Sequence, residues 1–208
     1  MQTKRFKGFT LAFLMAAALA QSAMGHQAAT SSSAAASGNV SSSPSSSATT
    51  NALFDRLFIF KAAEDSLLEI TLGQLAQTNS TNSAVQQFGA RLVADHTNTL
   101  AQAQPLATNL GVTLPTTLNA EAQQLVQNLA ALTGADFDKA FLEASIASHK
   151  KDIGLFEKAA LRGRNAEVRA FARNNIPVLA THLAITLELY ETYRANAGCD
   201  VFDVLEIE

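Results

Sequence analysis

Apolar side chains recur at intervals of three and four residues along four long stretches between Ala52 and Asn196. This spacing puts them on one face of an α-helix. The same region has few glycines, no tryptophan and no alternating β-branched runs. Long helices that each carry one apolar face must bury those faces against one another, and four of them fit an up-down four-helix bundle. We therefore predict an all-α domain over residues 51–196, which is long enough to bury one continuous core.

Short polar residues and glycines mark where the predicted helices begin and end. The four long helices are predicted over residues 52–77, from Asn82 or Ser83 to near Gly111, from Asp136 as N-cap to Gly163, and over residues 165–196. A short extra helix over residues 119–132, ending at Gly134, is predicted in the long connection between the second and third helices. Pro105 and Pro177 fall inside long helices, and we expect each to bend its helix.

Three histidines lie on the predicted apolar faces. His96, His149 and His182 belong to the second, third and fourth long helices, respectively. Residues equidistant from the turn of a helical hairpin lie side by side. His96 is then level with residue 64, and His149 faces residue 179, roughly 4–5 Å along the helix from His182. If the two hairpins pack with their turns at the same end, the three imidazoles converge in the core.

Two carboxylates on the first helix face this histidine level. Asp65 lies within about 1.5 Å of the level of His96, and Glu69 lies about 7–8 Å further along. The long side chain of Glu69 leans back toward that level, because helical side chains tilt toward their N-terminus. Three imidazole nitrogens and one carboxylate oxygen suit a single zinc, iron, copper or manganese ion. We therefore treat His96, His149, His182, Glu69 and Asp65 as candidate ligands.

Two further carboxylates are candidates for supporting this site. Asp95 directly precedes His96 and points about 100° away from it, so it is a poor ligand. Asp152 follows His149 by three residues and is placed to orient the ring of that histidine as a hydrogen-bond acceptor. The bend expected at Pro177 comes shortly before His182 and is compatible with a site.

Three readings of the histidine layer stay open at the level of sequence. It is a single-metal binding site, a mononuclear metalloenzyme site with an open coordination position, or a metal-free polar layer in a structural or interaction module. In the last case Phe54, Phe58 and Phe60 would contribute to a partner-binding surface. A di-iron carboxylate centre of the ferritin-like kind is disfavoured. Such centres place Glu three residues before each ligand His, and those positions are occupied by Val93, Ile146 and Leu179.

The first 25 residues have the pattern of a secretory signal peptide. Lys4, Arg5 and Lys7 precede a short apolar run over residues 9–20. That run is too short to span a bilayer, and no later stretch qualifies as a transmembrane segment. We expect export, most simply to the periplasm, with outer-membrane association or secretion as alternatives.

Residues 26–50 contain 19 Ser, Ala or Thr among 25 residues and no charge, which predicts a disordered linker. Residues 197–208 are predicted to be a disordered tail containing Cys199, the only cysteine. Once the leader is removed, 12 basic residues stand against 18 acidic ones. Nucleic-acid binding is therefore not expected, and an envelope-associated protein is the kind of partner that export would allow.

Five motifs follow one another along the chain: Ala62–Ile70, Phe88–His96, Gly111–Pro115, Gly134–Asp138 and Ile176–Leu183. Together they resemble the bacterial exported family known as domain of unknown function 4142, over about residues 52–194. The resemblance implies a ferritin-like four-helix bundle in a periplasmic, outer-membrane-associated or secreted protein with no assigned activity. It also implies that the characteristic Glu, Asp-His and two later His positions of the family are Glu69, Asp95-His96, His149 and His182.

Overall fold

The computed structural model describes the backbone of residues 46–198 and the side chains of residues 53–198. This part of the chain contains five α-helices and no strand: α1 (Ser46–Asn79), α2 (Ser83–Leu110), α3 (Ala120–Ala130), α4 (Gly134–Arg162) and α5 (Ala166–Ala197). The predicted signal peptide, the predicted linker up to residue 45, and Cys199 with the rest of the tail lie outside the described residues. Within residues 46–198, no helix combines the length and apolarity that crossing a bilayer requires.

The four long helices form the predicted all-α bundle. α1 packs along α2, α4 packs along α5, and the two hairpins meet through α1 with α4 and α2 with α5. The short helix α3 lies against α1 and α4. Near the start of α1, Asp55 accepts hydrogen bonds from the backbone N–H groups of Arg164 and Asn165, whereas Asn79 at the end of α1 donates to the carbonyl of Leu132. The α1–α2 turn and the α4–α5 turn therefore lie at opposite ends of the bundle, and the same-end arrangement that we assumed is wrong.

Polar residues cap the helices at most of the predicted positions. Asn82 and Asn165 accept backbone hydrogen bonds at the N-termini of α2 and α5, and Gly111 ends α2 in a left-handed conformation. The prediction that Asp136 caps α4 is wrong. Thr133 is the N-cap and Gly134 begins the helix with φ +58°, a backbone conformation that a residue without Cβ adopts readily. Asp136 then lies in the first helical turn, where its charge suits the helix dipole.

One other helix boundary differs from the prediction. α1 begins at Ser46 rather than near Ala52, and neither Gly nor Pro interrupts the intervening sequence. α2 and α5 each include their proline, Pro105 and Pro177, within a single helix, and the bends expected at these residues stay predictions.

The core consists of two apolar clusters. One contains Phe58, Phe156 and Phe171, and the Phe58 and Phe156 rings meet edge to face with centroids 5.0 Å apart. The other contains Phe88 and Phe141, with ring centroids 6.1 Å apart. α1, α2 and α4 contribute buried apolar residues to both clusters, whereas α5 contributes buried residues to the first and packs partly buried ones, such as Ile185 and Leu189, against the second. Most of the buried polar residues of the long helices fall between the two clusters. A polar layer therefore crosses the middle of the bundle.

The predicted aromatic surface at the start of α1 is only partly present. Phe58 is 1% exposed and belongs to the core, and Phe54 packs against it. Phe60 is exposed, together with Leu53 and Leu57. Leu57 is therefore exposed, whereas its neighbour Phe58 is buried.

Candidate metal centre

All four long helices supply side chains to the polar layer. Its buried members are Asp65, Ser66 and Glu69 on α1, His96 and Thr99 on α2, Ser145, His149 and Asp152 on α4, and Asn175, His182 and Thr186 on α5. Each histidine lies near the middle of its helix. Residues at the midpoints of packed helices of similar length are level whichever way the helices run, so the imidazoles meet even though the turns lie at opposite ends.

The three histidines form a compact triangle. His96 is 3% exposed, and His149 and His182 are fully buried. The ring centroids lie 5.2 Å apart for His149 and His182, 5.4 Å for His96 and His182, and 6.0 Å for His96 and His149. Each ring offers one nitrogen, and these three nitrogens all lie within 4.8 Å of one another.

Hydrogen bonds at the outer side of two rings determine which nitrogen carries the proton. Nδ1 of His149 lies 2.8 Å from the main-chain oxygen of Ser145. A carbonyl oxygen only accepts, so Nδ1 of His149 is the protonated nitrogen. Nε2 of His182 lies 2.8 Å from Oδ2 of Asp95. An ionised carboxylate also only accepts, so Nε2 of His182 donates to it.

The inner nitrogens of these two rings consequently face each other without a proton between them. Nε2 of His149 and Nδ1 of His182 are 3.3 Å apart, and in neutral rings both present a lone pair. Two nitrogens bound at about 2.0–2.1 Å to one tetrahedral metal ion are about 3.3–3.4 Å apart. The observed separation therefore suits a shared cation.

Burial keeps two of the rings neutral. It lowers the pKa of His96 well below its ordinary range, and the neighbouring His149 and His182 lower it further. Burial also lowers the pKa of His182 to about 4, although the hydrogen bond to Asp95 opposes this shift. Neutral imidazole is the form that binds metal ions.

The carboxylates of α1 lie beside the histidine triangle. They do not belong to the group of potential ligand atoms that all lie within 4.8 Å of one another. Glu69 is fully buried, its Oε1 accepts a hydrogen bond of 2.6 Å from the Ser148 hydroxyl, and its Oε2 has no partner among the protein groups described. Burial raises the pKa of Glu69, while His149 and Ser148 oppose this shift. Oδ1 of Asp65 pairs with Lys61 at 2.8 Å and lies 3.7 Å from Lys151.

Asp152 does not orient His149 as predicted. The main-chain oxygen four residues earlier, on Ser145, holds that ring instead. Asp152 faces Asp65 and Glu69, and burial together with these two carboxylates raises its pKa to about 8. Asp152, Asp65 and His96 line a small internal cavity of about 10 Å³.

The hydroxyl groups around the triangle were missed as site residues. The Ser145 hydroxyl lies 3.3 Å from Nδ1 of His149 and 3.3 Å from the Thr186 hydroxyl, which donates to the carbonyl of His182. Ser145 and Thr186 each lie four residues from a histidine on the same helix face. That i,i+4 spacing is the sequence signal that would have identified them.

A surface groove approaches the layer between α1, α3 and α4. It measures about 390 Å³ and is lined by Asp65, which belongs to the layer, by Ser148, which donates to Glu69 of the layer, and by Lys61, Lys151 and Leu125 among others. At its rim Asn119 donates to Glu64. The groove brings solvent close to the carboxylate side of the layer.

Comparisons with known proteins agree with the fold. The family model described as "Domain of unknown function (DUF4142)" matches residues 40–189. Among solved structures, a DUF305 fragment from Deinococcus radiodurans is similar, with a TM-score of 0.60 and 12% sequence identity over 67% of this chain and 96% of that one. At this identity the similarity concerns the fold alone. No curated protein matches the sequence.

Proposed function

The chain belongs to the DUF4142 family, whose description names no function, and we propose from the geometry of the polar layer that it binds one transition-metal ion through His96, His149 and His182. The observation that carries this proposal is the pair of facing nitrogens of His149 and His182, 3.3 Å apart. The hydrogen bonds at the outer nitrogens leave both inner nitrogens as acceptors. A cation bound between the inner nitrogens would remove the repulsion between their two lone pairs.

His96 completes the set of nitrogen ligands. Both of its ring nitrogens are buried, and neither has a hydrogen-bond partner among the described protein groups. An unpaired buried polar atom costs about 1–3 kcal/mol, and a metal ion would satisfy one of the two nitrogens. Three imidazoles suit zinc, copper, iron or nickel ions.

The surrounding groups supply orientation and charge. Asp95 and the Ser145 carbonyl hold the outer nitrogens of two ligands, as is usual around metal-bound histidines. Glu69 places a fully buried carboxyl group next to His149. We assign Glu69 the role of offsetting the charge of the ion, because three neutral imidazoles leave a divalent cation uncompensated in the core.

Binding fits this site better than turnover of an organic substrate. The three rings are buried between two apolar clusters. The cavity beside His96 measures about 10 Å³, which is room for roughly one water molecule. A ligand of more than a few atoms would require the helices to separate.

Metal content decides the proposal. The full chain is produced without a His tag, loaded with Zn²⁺, desalted and measured by elemental analysis together with His149→Ala and the neighbouring surface variant Lys150→Ala. We expect one equivalent of zinc in the wild type and in Lys150→Ala, and less than a tenth of that in His149→Ala. Absence of stoichiometric metal in the wild type after loading with Zn²⁺, Co²⁺, Ni²⁺, Cu²⁺ or anaerobic Fe²⁺ would contradict it and favour a metal-free polar layer.

We also propose that the protein is exported, most simply to the periplasm. The support is the basic start of the chain followed by the apolar run over residues 9–20. Fractionation of cells that express the full chain, followed by N-terminal sequencing, tests this. A mature N-terminus just after Ala20 or Gly25 in the periplasmic fraction is expected, and an uncleaved chain in the cytoplasm would refute export.

A further inference from the structure

His96 differs from the other two histidines in how its outer side is held. Asp95 binds the outer nitrogen of His182, and the Ser145 carbonyl binds that of His149. Neither nitrogen of His96 contacts such a group among the residues described. A metal ion would use one nitrogen and leave the other, an N–H donor, buried in the core. That donor requires an acceptor.

The small cavity lies beside this ring. Its walls include His96, Asp65 and Asp152 from three different helices, and apolar side chains such as Phe156 and Leu179 close it. Its volume is about 10 Å³. That is close to the lower limit of about 10–15 Å³ for holding one water molecule.

The polar atoms around the cavity match the hydrogen-bonding capacity of one water. Oδ2 of Asp65 and Oδ1 of Asp152 are buried and have no hydrogen-bond partner among the described groups, like His96 itself. A water molecule can accept one N–H and donate two O–H groups. Three hydrogen bonds is also the usual number for a buried water.

We propose that this cavity binds one water molecule, which accepts a hydrogen bond from His96 and donates to Asp65 and Asp152. The water fixes the tautomer of His96, so that its other nitrogen is an acceptor directed toward His149 and His182. Asp65 and Asp152 are then positioning residues that act on His96 through the water. The effect on metal affinity rests on the proposed function, whereas the water itself does not depend on a bound metal.

A crystal structure of the metal-free full chain tests the water directly. We expect one ordered water within about 2.7–3.2 Å of a His96 ring nitrogen and of both carboxyl groups. A cavity without density would overturn the proposal. So would an anomalous scattering peak in the cavity, because it would identify a cation.

Two substitutions at one position test the positioning role. Asp152→Asn keeps an oxygen that accepts from the water, whereas Asp152→Leu removes it and fills the cavity. Nitrogen chemical shifts of the metal-free protein should show one His96 tautomer in the wild type, in Asp152→Asn and in the exposed control Asp136→Asn. Asp152→Leu should show a mixture of tautomers.

Zinc affinity should follow the same order. Loss of an outer hydrogen-bond partner weakens metal binding about 10–100-fold. We expect the zinc dissociation constant of Asp152→Leu to rise by such a factor, and that of Asp152→Asn to rise by a factor less than about a quarter as large. An unchanged His96 tautomer in a folded Asp152→Leu would overturn the positioning role. If no variant binds zinc, the proposed function fails, and the crystal structure and tautomer measurements still decide this inference. The crystal structure also decides it if Asp152→Leu does not fold.

Discussion

Nε2 of His182 lies 2.8 Å from Oδ2 of Asp95, the residue directly before His96. Successive residues on a helix point about 100° apart, so His96 faces the core while Asp95 reaches α5 at the side of the bundle. One dipeptide of α2 thus supplies a candidate ligand and the acceptor that sets the tautomer of another. Asp95 also pairs with Arg91 at 3.3 Å on the surface side.

Asp95→Ala should weaken metal binding without unfolding the protein. Without the carboxylate, the proton of His182 is free to move to the inner nitrogen, which then cannot bind the ion. Loss of such a partner typically reduces metal affinity about 10–100-fold. Competition of the tag-free protein with a zinc chelator measures the change. Arg91→Ala is the matched control, and an equal loss in both variants would show that the surface ion pair, rather than the histidine contact, is responsible.

His96→Leu should remove an acid-dependent loss of stability as well as zinc binding. Because the pKa of His96 in the folded protein is well below 6.5, the unfolded chain binds the additional proton as pH falls. The wild type therefore has the full stability contribution of this group above pH 6.5 and loses it as pH falls, by at most about 1.4 kcal/mol per pH unit. In urea unfolding with chelator at pH 7.5, 6.0 and 5.0, the free energy of unfolding of His96→Leu should rise relative to that of the wild type as pH falls. A constant difference across these pH values would rule this out.

Gly89→Ala should destabilise the α1–α2 contact. A Cβ at Gly89 would lie 2.6 Å from the carbonyl oxygen of Gly73 and 2.7 Å from Cβ of Ala76, so the two helices would have to separate. Overpacking of this kind costs about 1–3 kcal/mol. Gly154→Ala on α4 is the matched control, because nothing lies within 4 Å of its added Cβ. Gly154→Ala should be more stable than the wild type by up to about 1 kcal/mol, because Ala has a higher helix propensity than Gly. Thermal unfolding of both variants measures the difference in stability.

The spacing of apolar residues was enough to predict the all-α bundle, whereas the extra helix between α2 and α4 was predicted from the residues that mark helix ends, such as Gly134. The spacing also indicated that His96, His149 and His182 face the core, because helical periodicity determines the face on which a residue lies. Their common level was predicted by counting from turns assumed to lie at the same end of the bundle. The histidines are level for another reason, which is that each lies near the middle of its helix. The relative direction of the two hairpins was not predictable in this way. The contacts that reveal it, between Asp55 and Arg164 and between Asn79 and Leu132, join residues far apart in the chain.

Periodicity also leaves open which atom a buried side chain contacts. Asp152 was expected to orient His149, yet a main-chain carbonyl does so and Asp152 faces Asp65 and Glu69. These outcomes depend on side-chain rotamers and on the few ångströms by which the helices are offset. α4 starts at Gly134 because this residue has a positive φ. Glycine can adopt a positive φ but does not have to, so the sequence alone did not predict this start.

Asp152→Asn should make the metal-free protein more stable than the wild type at alkaline pH. Burial and the carboxylates of Asp65 and Glu69 on α1 raise the pKa of Asp152 to about 8, with Lys151 opposing the shift, whereas the carboxyl group of an unfolded chain titrates near about 3.9. The folded state therefore holds a proton that the unfolded state releases between these values. The stability contribution of Asp152 is fully present below about pH 4 and is lost as pH rises to about 8.

The asparagine at position 152 does not titrate, so the stability advantage of Asp152→Asn over the wild type in urea unfolding should grow from pH 5 to pH 8. The growth is at most about 1.4 kcal/mol per pH unit, and the advantage then levels off. Parallel stability curves for the two proteins would mean that Asp152 is ionised in the folded core, with a cation or solvent compensating its charge.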